Sequence, residues 1–398
     1  MPVTELTIYY KTGWQAPVLH YGFEGKQWTD VTFMAAPEDC GWWRVTVPML
    51  SGSLECVPRA ADKSGWDNAP GGGNYKIGPF STTESAIAVI RSGKVAIVNL
   101  NMKPWALVSD MDGTLIGECQ ETMERLRCFW DLYCRFAVKD GQKLCYLAYN
   151  SGRNKLDMLK GCRENDLPPA DFMICGVGTE IYKAPKGTNT TSWYDSLQQP
   201  VMDQAWKRKM EAEFGDRDKL AADVQALFPA MEIHGGTEND PYRLPCIVHL
   251  DKGPPLDELE AWGEKHTALR VIISGLGDAR FVDICSIHAD KGLAIQHLFD
   301  NGNLPGLRDM SRILVAGDSG NDLRMFEVPG VRSVMVGNSQ PSLVDAVLKG
   351  HPSLQTAAER QELPISVPRS PPLLEVYFSK GHVGDGVCEA IQKYYFDA

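Results

Sequence analysis

The segment Trp105-Ala-Leu-Val-Ser-Asp110-Met-Asp112-Gly-Thr-Leu carries an apolar strand pattern into two carboxylates two residues apart. Alternate side chains of a strand share one side, so Asp110 and Asp112 can face a single reacting group while Gly113 lets the backbone turn away. Related junctions follow. The apolar run Leu144 to Ala148 ends in Asn150-Ser151-Gly152-Arg153, and Asp290-Lys291-Gly292 opens a helical pattern through Leu293, Ile295, Leu298 and Phe299. Arg312-Ile-Leu-Val-Ala-Gly317 then runs into Asp318-Ser-Gly-Asn321-Asp322. This alternation of strands and helices specifies a doubly wound α/β sheet, whose ligands bind at the strand-end turns.

Two carboxylates placed in this way suit chemistry on a phosphate. One can attack phosphorus and form an acyl-phosphate; the other can protonate the leaving oxygen and then activate water. The Ser151 hydroxyl and the Gly152 backbone N–H stand at a strand-to-helix junction, a place where anions bind. Lys291 offers an ammonium that can hold a phosphoryl group and the nucleophile together. Asp318 and Asp322 suit Mg²⁺, which takes a few protein oxygens with water and substrate phosphate. Taken singly, each motif could be only a turn, a helix cap or a solvated lysine. Four in order, each at a turn or helix start, mark one phosphate-handling site.

From about Pro104 to its end, the chain resembles the haloacid dehalogenase superfamily of phosphohydrolases, and within it the sucrose-6-phosphate phosphatases. The motifs are Asp110-Met-Asp112-Gly-Thr, Leu147-Ala-Tyr-Asn-Ser151-Gly-Arg, Val177-Gly-Thr-Glu180-Ile-Tyr182, Asp290-Lys291-Gly and Gly317-Asp318-Ser-Gly-Asn321-Asp322. The resemblance implies that Asp110 is the nucleophile and Asp112 the acid/base. It also implies that Ser151, Gly152, Lys291 and Asn321 hold the phosphoryl group. Asp110, the Asp112 carbonyl, Asp318 and, through water, Asp322 would surround Mg²⁺.

The expected core covers 101–182 and 278–398, interrupted by an inserted α/β cap over 183–277. Met202 to Phe228 has helical spacing, and Cys246-Ile-Val-His-Leu and Arg270-Val-Ile-Ile-Ser read as strands. In the resembled family the cap closes over the site and selects the leaving sugar. Trp193 and Tyr194 either stack on that sugar or pack the cap. Where sucrose phosphatases tend to read Ser-Gly-x-Asp-Val-Asp-Leu-Leu-Pro, this chain reads Ser274-Gly-Leu-Gly-Asp278-Ala-Arg280-Phe-Val-Asp283-Ile-Cys-Ser. Asp283 keeps its register; the altered loop bears on which ester is preferred. Glu362 to Pro372 reads as a loop, before a last strand at Glu375-Val-Tyr-Phe and a helix from Gly386 to Tyr394.

Residues 1–100 read differently. They hold Trp14, Trp28, Trp42, Trp43 and Trp66, half of the chain's 10 tryptophans in a quarter of its length. Short alternating runs such as Leu6-Thr-Ile-Tyr-Tyr and Trp43-Arg-Val-Thr-Val, separated by Gly, Pro and Asp turns, predict an antiparallel β-sandwich ending near Asn99 to Lys103. Trp14 and Trp43 are expected to pack the core. The run Gly13-Trp14, His20-Tyr21, Trp28-Thr, Gly65-Trp66-Asp67-Asn68 and Asn74-Tyr75 resembles the starch-binding modules of amylases and plant starch synthases. That resemblance makes His20, Trp28 and Trp66 a glucan platform.

At 398 residues, with 43% hydrophobic and 23% charged residues, the chain can bury two or three cores. Its net charge of −11 argues against nucleic acid as a partner, and no apolar run reaches the ~20 residues needed to span a membrane. Eleven cysteines with no Cys-x-x-Cys pair predict reduced thiols and no structural zinc. The start leaves no room for a leader, so the expected compartment is the cytoplasm, or a plastid if a transit peptide was removed. The expected function is a Mg²⁺-dependent sugar-phosphate phosphatase, with sucrose 6-phosphate the first substrate, tethered to starch or a related α-glucan; the alternatives are a glucan-binding scaffold or regulator with a non-catalytic phosphatase domain, or a phosphatase for another sugar phosphate or a phosphoglucan. The complete set of acidic and cationic residues favours the first.

Overall fold

The computed structural model describes residues 5–36, 41–50, 52–80, 85–184, 200–275, 277–349, 364–369 and 372–396. Trp193 and Tyr194 lie outside them. Two compact units divide the chain: the first takes residues up to Pro104 with Arg127–Cys145, the second Trp105–Leu126, Tyr146–Ala184 and the residues from Pro200 onward.

The first unit contains β1 (Glu5–Lys11), β2 (Val18–Phe23), β3 (Thr29–Thr32), β4 (Met34–Ala35), β5 (Trp42–Pro48), β6 (Gly52–Arg59), β7 (Tyr75–Phe80), β8 (Ala86–Arg91) and β9 (Lys94–Ile97). They form two sheets, β4-β5-β1-β8-β9 and β3-β2-β6-β7. Period-two patterning does the sorting. Leu6, Ile8 and Tyr10 of β1 turn inward with Val45, Val47, Leu54, Cys56, Tyr75, Ile77, Ala88 and Ile90, and all are buried. The pairing is not wholly antiparallel as expected, because β1 lies parallel to β8. Parallel neighbours need a crossover, and here the chain between β1 and β8 provides it, with β6 and β7 in the other sheet just before β8. Trp14 and Trp43 are half-buried against this core. Phe136, from the Arg127–Cys145 segment, stacks on Tyr9 with ring centroids 3.8 Å apart.

The second unit opens with β10 (Trp105–Ser109) and α1 (Gln120–Tyr133), whose second half groups with the first unit, as does the hairpin of β11 (Val138–Lys139) and β12 (Gln142–Lys143). There follow β13 (Cys145–Asn150), α2 (Lys155–Glu164), β14 (Phe172–Cys175), β15 (Glu180–Lys183) and β16 (Val201–Met202). The next elements are α3 (Gln204–Phe214), α4 (Arg217–Leu227), β17 (Glu232–Ile233), β18 (Arg243–His249), α5 (Leu256–Glu264), β19 (Leu269–Ser274) and β20 (Ala279–Ser286). The chain closes with α6 (Lys291–Asp300), β21 (Ile313–Gly317), α7 (Leu323–Phe326), β22 (Arg332–Met335), α8 (Pro341–Leu348), β23 (Ile365–Val367), β24 (Val376–Phe378) and α9 (Gly384–Ile391).

The main sheet runs β16-β15-β14-β13-β10-β21-β22-β24-β23. Every residue of β10, β13, β14 and β21 is buried, which is why these strands read as unbroken apolar runs rather than alternating ones. The expected doubly wound core is present, and β10 lies between β13 and β21, so the turns after all three meet at one edge.

The inserted cap is a four-stranded antiparallel sheet, β17-β18-β20-β19, packed with Trp206, Met210 and Phe214 of α3 and Val224 of α4. Its extent departs from the expected end at Gly277. β20 pairs with β18 from Arg243↔Cys285 to His249↔Ala279, so the cap sheet runs on to Ser286. The helical stretch Met202 to Phe228 is two helices, because Gly215 adopts φ +79° and Asp216 caps a new start by accepting from the Asp218 and Lys219 N–H groups. The expected loop at Glu362 to Pro372 contains β23, an edge strand antiparallel to β24.

Candidate active site

Asp110 sits at the residue after β10, its N–H donating to the Ala316 carbonyl of β21. Its carboxylate accepts a 2.7 Å hydrogen bond from Lys291 Nζ, and the same ammonium donates to Asp322 Oδ1 at 2.5 Å and to Asn321 Oδ1 at 3.4 Å. Lys291 is only 1% exposed at the first turn of α6. The Asp322 Oδ2 accepts from the N–H groups of Asp318 and Ser319, each at 3.1 Å, so this carboxylate shapes the turn that presents its neighbours. Thr114 Oγ1 donates to Asp318 Oδ1 at 3.2 Å.

Burial works against the Lys291 charge, but Asp110 and Asp322 outweigh it and hold the ammonium above its ordinary value. Burial also raises the Asp110 carboxyl, against the pull of Lys291. Asp318 is pushed up to about 7, first by burial and then by the Asp322 charge. One carboxylate oxygen from each of Asp110, Asp318 and Asp322 lies within 4.8 Å of the others. Three hard oxygen donors, crowded enough to resist ionising together, are a donor set that fits a small divalent cation.

Asp112 stands apart from that cluster. Its carboxylate is half exposed and is gripped by Arg153, with Nε donating at 2.7 Å and Nη2 at 2.6 Å. Arg153 belongs to a motif legible in the sequence, but its role was not. Geometry makes it visible, because Arg153 and Asp112 lie 41 residues apart. Ser151 and Gly152 line the same cleft, and the helix whose N-terminus they were expected to join begins only at Lys155, capped by Asn154. Another unforeseen residue is Asn338. Its Nδ2 donates to the Gly113 carbonyl at 2.6 Å and its Oδ1 accepts from the Val383 N–H at 2.8 Å, bracing the turn that follows Asp112.

The cleft measures about 570 Å³. The core side contributes Asp110, Asp112, Ser151, Gly152, Asp318 and Asn321, and the cap side contributes Asp240, Arg243, Ile247, Ser274, Phe281 and Asp283. The altered loop therefore borders the cavity at Ser274, Gly275 and Phe281.

A separate cluster lies on the first unit. His20 sits 4.9 Å from the Trp28 ring at a 31° tilt and 5.7 Å from Trp66, edge-on at 84°. Trp66 is 44% exposed, and His20 Nδ1 is paired with Asp30 Oδ1 at 2.7 Å, which also receives Arg59 Nη2 on its other oxygen. The three expected platform residues thus form one aromatic corner.

A family model described as sucrose-6F-phosphate phosphohydrolase matches residues 103–365. The chain belongs to this family. Its members are phosphoric monoester hydrolases of the haloacid dehalogenase superfamily, in keeping with the resemblance seen in the motifs. The mannosylfructose-phosphate phosphatase of Agrobacterium fabrum is 30% identical over 251 residues, 61% of this chain and 87% of that one. The sucrose-phosphatase of Synechocystis sp. PCC6803, solved with sucrose and phosphate, is 26% identical with a TM-score of 0.53, covering 74% of this chain and all of that one. The chain spans 56% of sucrose-phosphatase 2 from Nicotiana tabacum. A CBM25 from a Bacillus halodurans amylase is 30% identical over 24% of this chain and 96% of its own, with a TM-score of 0.20.

Gly113 is a point of close approach in this family member's site. It adopts φ +77°, and a Cβ there would lie 2.4 Å from Asp318 Oδ2. Gly113→Ala should lower unfolding free energy by about 1–3 kcal/mol, from left-handed strain together with a displaced carboxylate. Urea denaturation compared with the parent checks this.

Proposed function

We propose that the protein hydrolyses the phosphate monoester of a small sugar through an aspartyl-phosphate on Asp110. The observation that carries this reading is the meeting of Asp110, Lys291, Asp318 and Asp322 where β10 and β21 end and α6 begins, with Asp110 and Asp318 lining a cleft roofed by the cap sheet. The Asp110 carboxylate attacks phosphorus as the bond to the sugar oxygen breaks, and Asp112 gives that oxygen its proton. Asp112 then takes a proton from water attacking the acyl-phosphate, which frees inorganic phosphate and restores Asp110. Ser151, the Gly152 N–H, Lys291 and Asn321 hold the phosphoryl oxygens. Asp110, Asp318, Asp322 and the Asp112 carbonyl would hold Mg²⁺, which when bound supplies positive charge to offset that of the phosphoryl group.

The substrate favoured by this reading is a disaccharide phosphate, sucrose 6-phosphate first, with the altered Gly275 to Phe281 loop leaving room for another sugar. Relatives named for sucrose phosphate and mannosylfructose phosphate support the class. A roofed cleft of about 570 Å³ suits a small ester better than a branched polymer. Specificity constants for sucrose 6-phosphate, trehalose 6-phosphate, glucose 6-phosphate and phosphorylated amylopectin should rank a disaccharide first and the polymer last. In the same assay Asp110→Asn should abolish turnover, and Asp112→Asn should slow it by ~10²–10⁴-fold or more. Residual activity in Asp110→Asn close to the parent's would refute the nucleophile.

We further propose that His20, Trp28 and Trp66 bind starch or a related α-glucan, because an exposed aromatic corner offers ring faces for sugar stacking and a histidine for hydroxyls. Trp28→Ala with Trp66→Ala should remove most co-sedimentation of the full chain with insoluble starch and leave turnover of a soluble ester unchanged. Undiminished co-sedimentation would move the platform elsewhere.

The acidic cluster also implies a pH dependence. The folded pKa of Asp318, about 7, lies above the ordinary aspartate value, so folding favours its protonated form. That contribution is full below pH ~4 and is lost as pH rises through about 7 in the metal-free protein. Mg²⁺ must displace the proton, so its affinity should tighten by up to ~10-fold per unit between pH 5 and 7. Melting temperatures with and without Mg²⁺ at pH 5 and pH 8 should show the larger gain at pH 8.

A further inference from the structure

Two arginines of the cap sheet reach the two core loops on which the phosphate ligands stand. Arg243, the first residue of β18, has its side chain 7% exposed. Its Nε and Nη2 donate to Asp240 Oδ1 at 3.0 and 2.5 Å, and its Nη1 donates to Asp283 Oδ1 at 3.1 Å. That same Nη1 crosses to the core and donates to the Gly152 carbonyl at 2.6 Å. Arg270, on β19, donates to Asp290 Oδ2. The other oxygen of Asp290 caps α6 by accepting from the Leu293 N–H at 2.6 Å, and Lys291 is the next residue.

Both loops also abut one turn, Val177-Gly178. The Val177 N–H donates to the Ser151 carbonyl at 3.1 Å, and a Cβ on Gly178 would lie 2.4 Å from the Asp290 carbonyl. Only a backbone without a side chain fits there. The cap therefore grips each loop by a charged donor, and the two grips bear on loops that touch one another's support.

We propose that Arg243 and Arg270 are positioning residues that seat the Ser151-Gly152 loop and the Asp290-Lys291 helix start, so that the phosphate site is complete only while the cap sheet holds them. This rests on the reading of Ser151, Gly152 and Lys291 as phosphate ligands. Two cap carboxylates, Asp240 and Asp283, fix the Arg243 fork in place, so the grip is rigid and not a solvated surface contact. Neither arginine needs to touch the sugar. Their removal should act equally on any ester, whatever its leaving group.

Arg243→Gln and Arg270→Gln in the full chain with Mg²⁺ test this, with a generic aryl phosphate and sucrose 6-phosphate as substrates and inorganic phosphate as a competitive inhibitor. Each variant should weaken phosphate inhibition by roughly 3- to 30-fold, the range for coupling carried through an intermediate residue, and lower kcat/KM for both esters by a similar factor. Hydrogen exchange should quicken at 151–153 in Arg243→Gln and at 291–294 in Arg270→Gln. Unchanged phosphate inhibition and loop exchange would overturn the proposal, as would a loss confined to the sugar ester. If Arg243→Gln fails to fold because Asp240 and Asp283 lose their counter-ion, the more exposed Arg270→Gln decides alone. If the parent hydrolyses neither ester, the proposed function fails, whereas the exchange pattern still judges the two arginines.

Discussion

A single buried ammonium organises the second unit. Lys291 is held out of water, and an ion so placed costs several kcal/mol unless its partners are well set. Those partners are Asp110 at the end of β10 and Asp322 after β21, segments 181 and 31 residues away from it in the chain. Asp322 in turn ties the Asp318 and Ser319 N–H groups, and the Asn150 side chain donates to the Lys291 carbonyl at 3.0 Å. The ends of three strands and the start of a helix are thereby registered on one charge. Removing Lys291 would leave Asp110 and Asp322 buried without a counter-charge, so the same interaction that assembles the site also ties the strand ends together.

That charge arrangement also explains the acidic crowding beside it. One Lys291 ammonium is shared by Asp110 and Asp322, whereas Asp318 takes its side-chain hydrogen bond from the Thr114 hydroxyl. Burial first, and then the Asp322 charge, raise the Asp318 carboxyl. A site short of positive charge is primed for a divalent cation or an incoming proton. The turn before it has no slack, since the Gly113 backbone lies against the Asp318 carboxylate and is braced by Asn338.

The cap and the sandwich solve different problems with similar sequence material. In both, antiparallel pairing with period-two burial makes a sheet with one sealed face. The cap turns its polar residues Asp240, Arg243 and Asp283 into the cleft, and they satisfy one another there. The sandwich leaves Trp66 in the open beside Trp28 and His20. That exposed indole beside a half-buried one is the surface on which the proposed glucan binding rests.

Much was legible in the chain itself. Largely apolar runs at Trp105–Ser109, Cys145–Asn150 and Ile313–Gly317 required strands buried on both faces, and the carboxylates that follow the first and third required something to balance them. Local periodicity also separated the sandwich from the rest, because alternation and turn residues act over a few positions. Long-range pairing was not legible. Nothing local announces that β8 lies parallel to β1, that β20 completes the cap beyond Gly277, or that Arg153 grips Asp112. Nor does the sequence show Arg243 reaching Gly152, 91 residues distant. Side-chain chemistry and short-range pattern are properties of the sequence alone. Which charges share a burial site is decided only when strands from distant segments are brought side by side, since the electrostatic cost of burial exists only once the fold has excluded water.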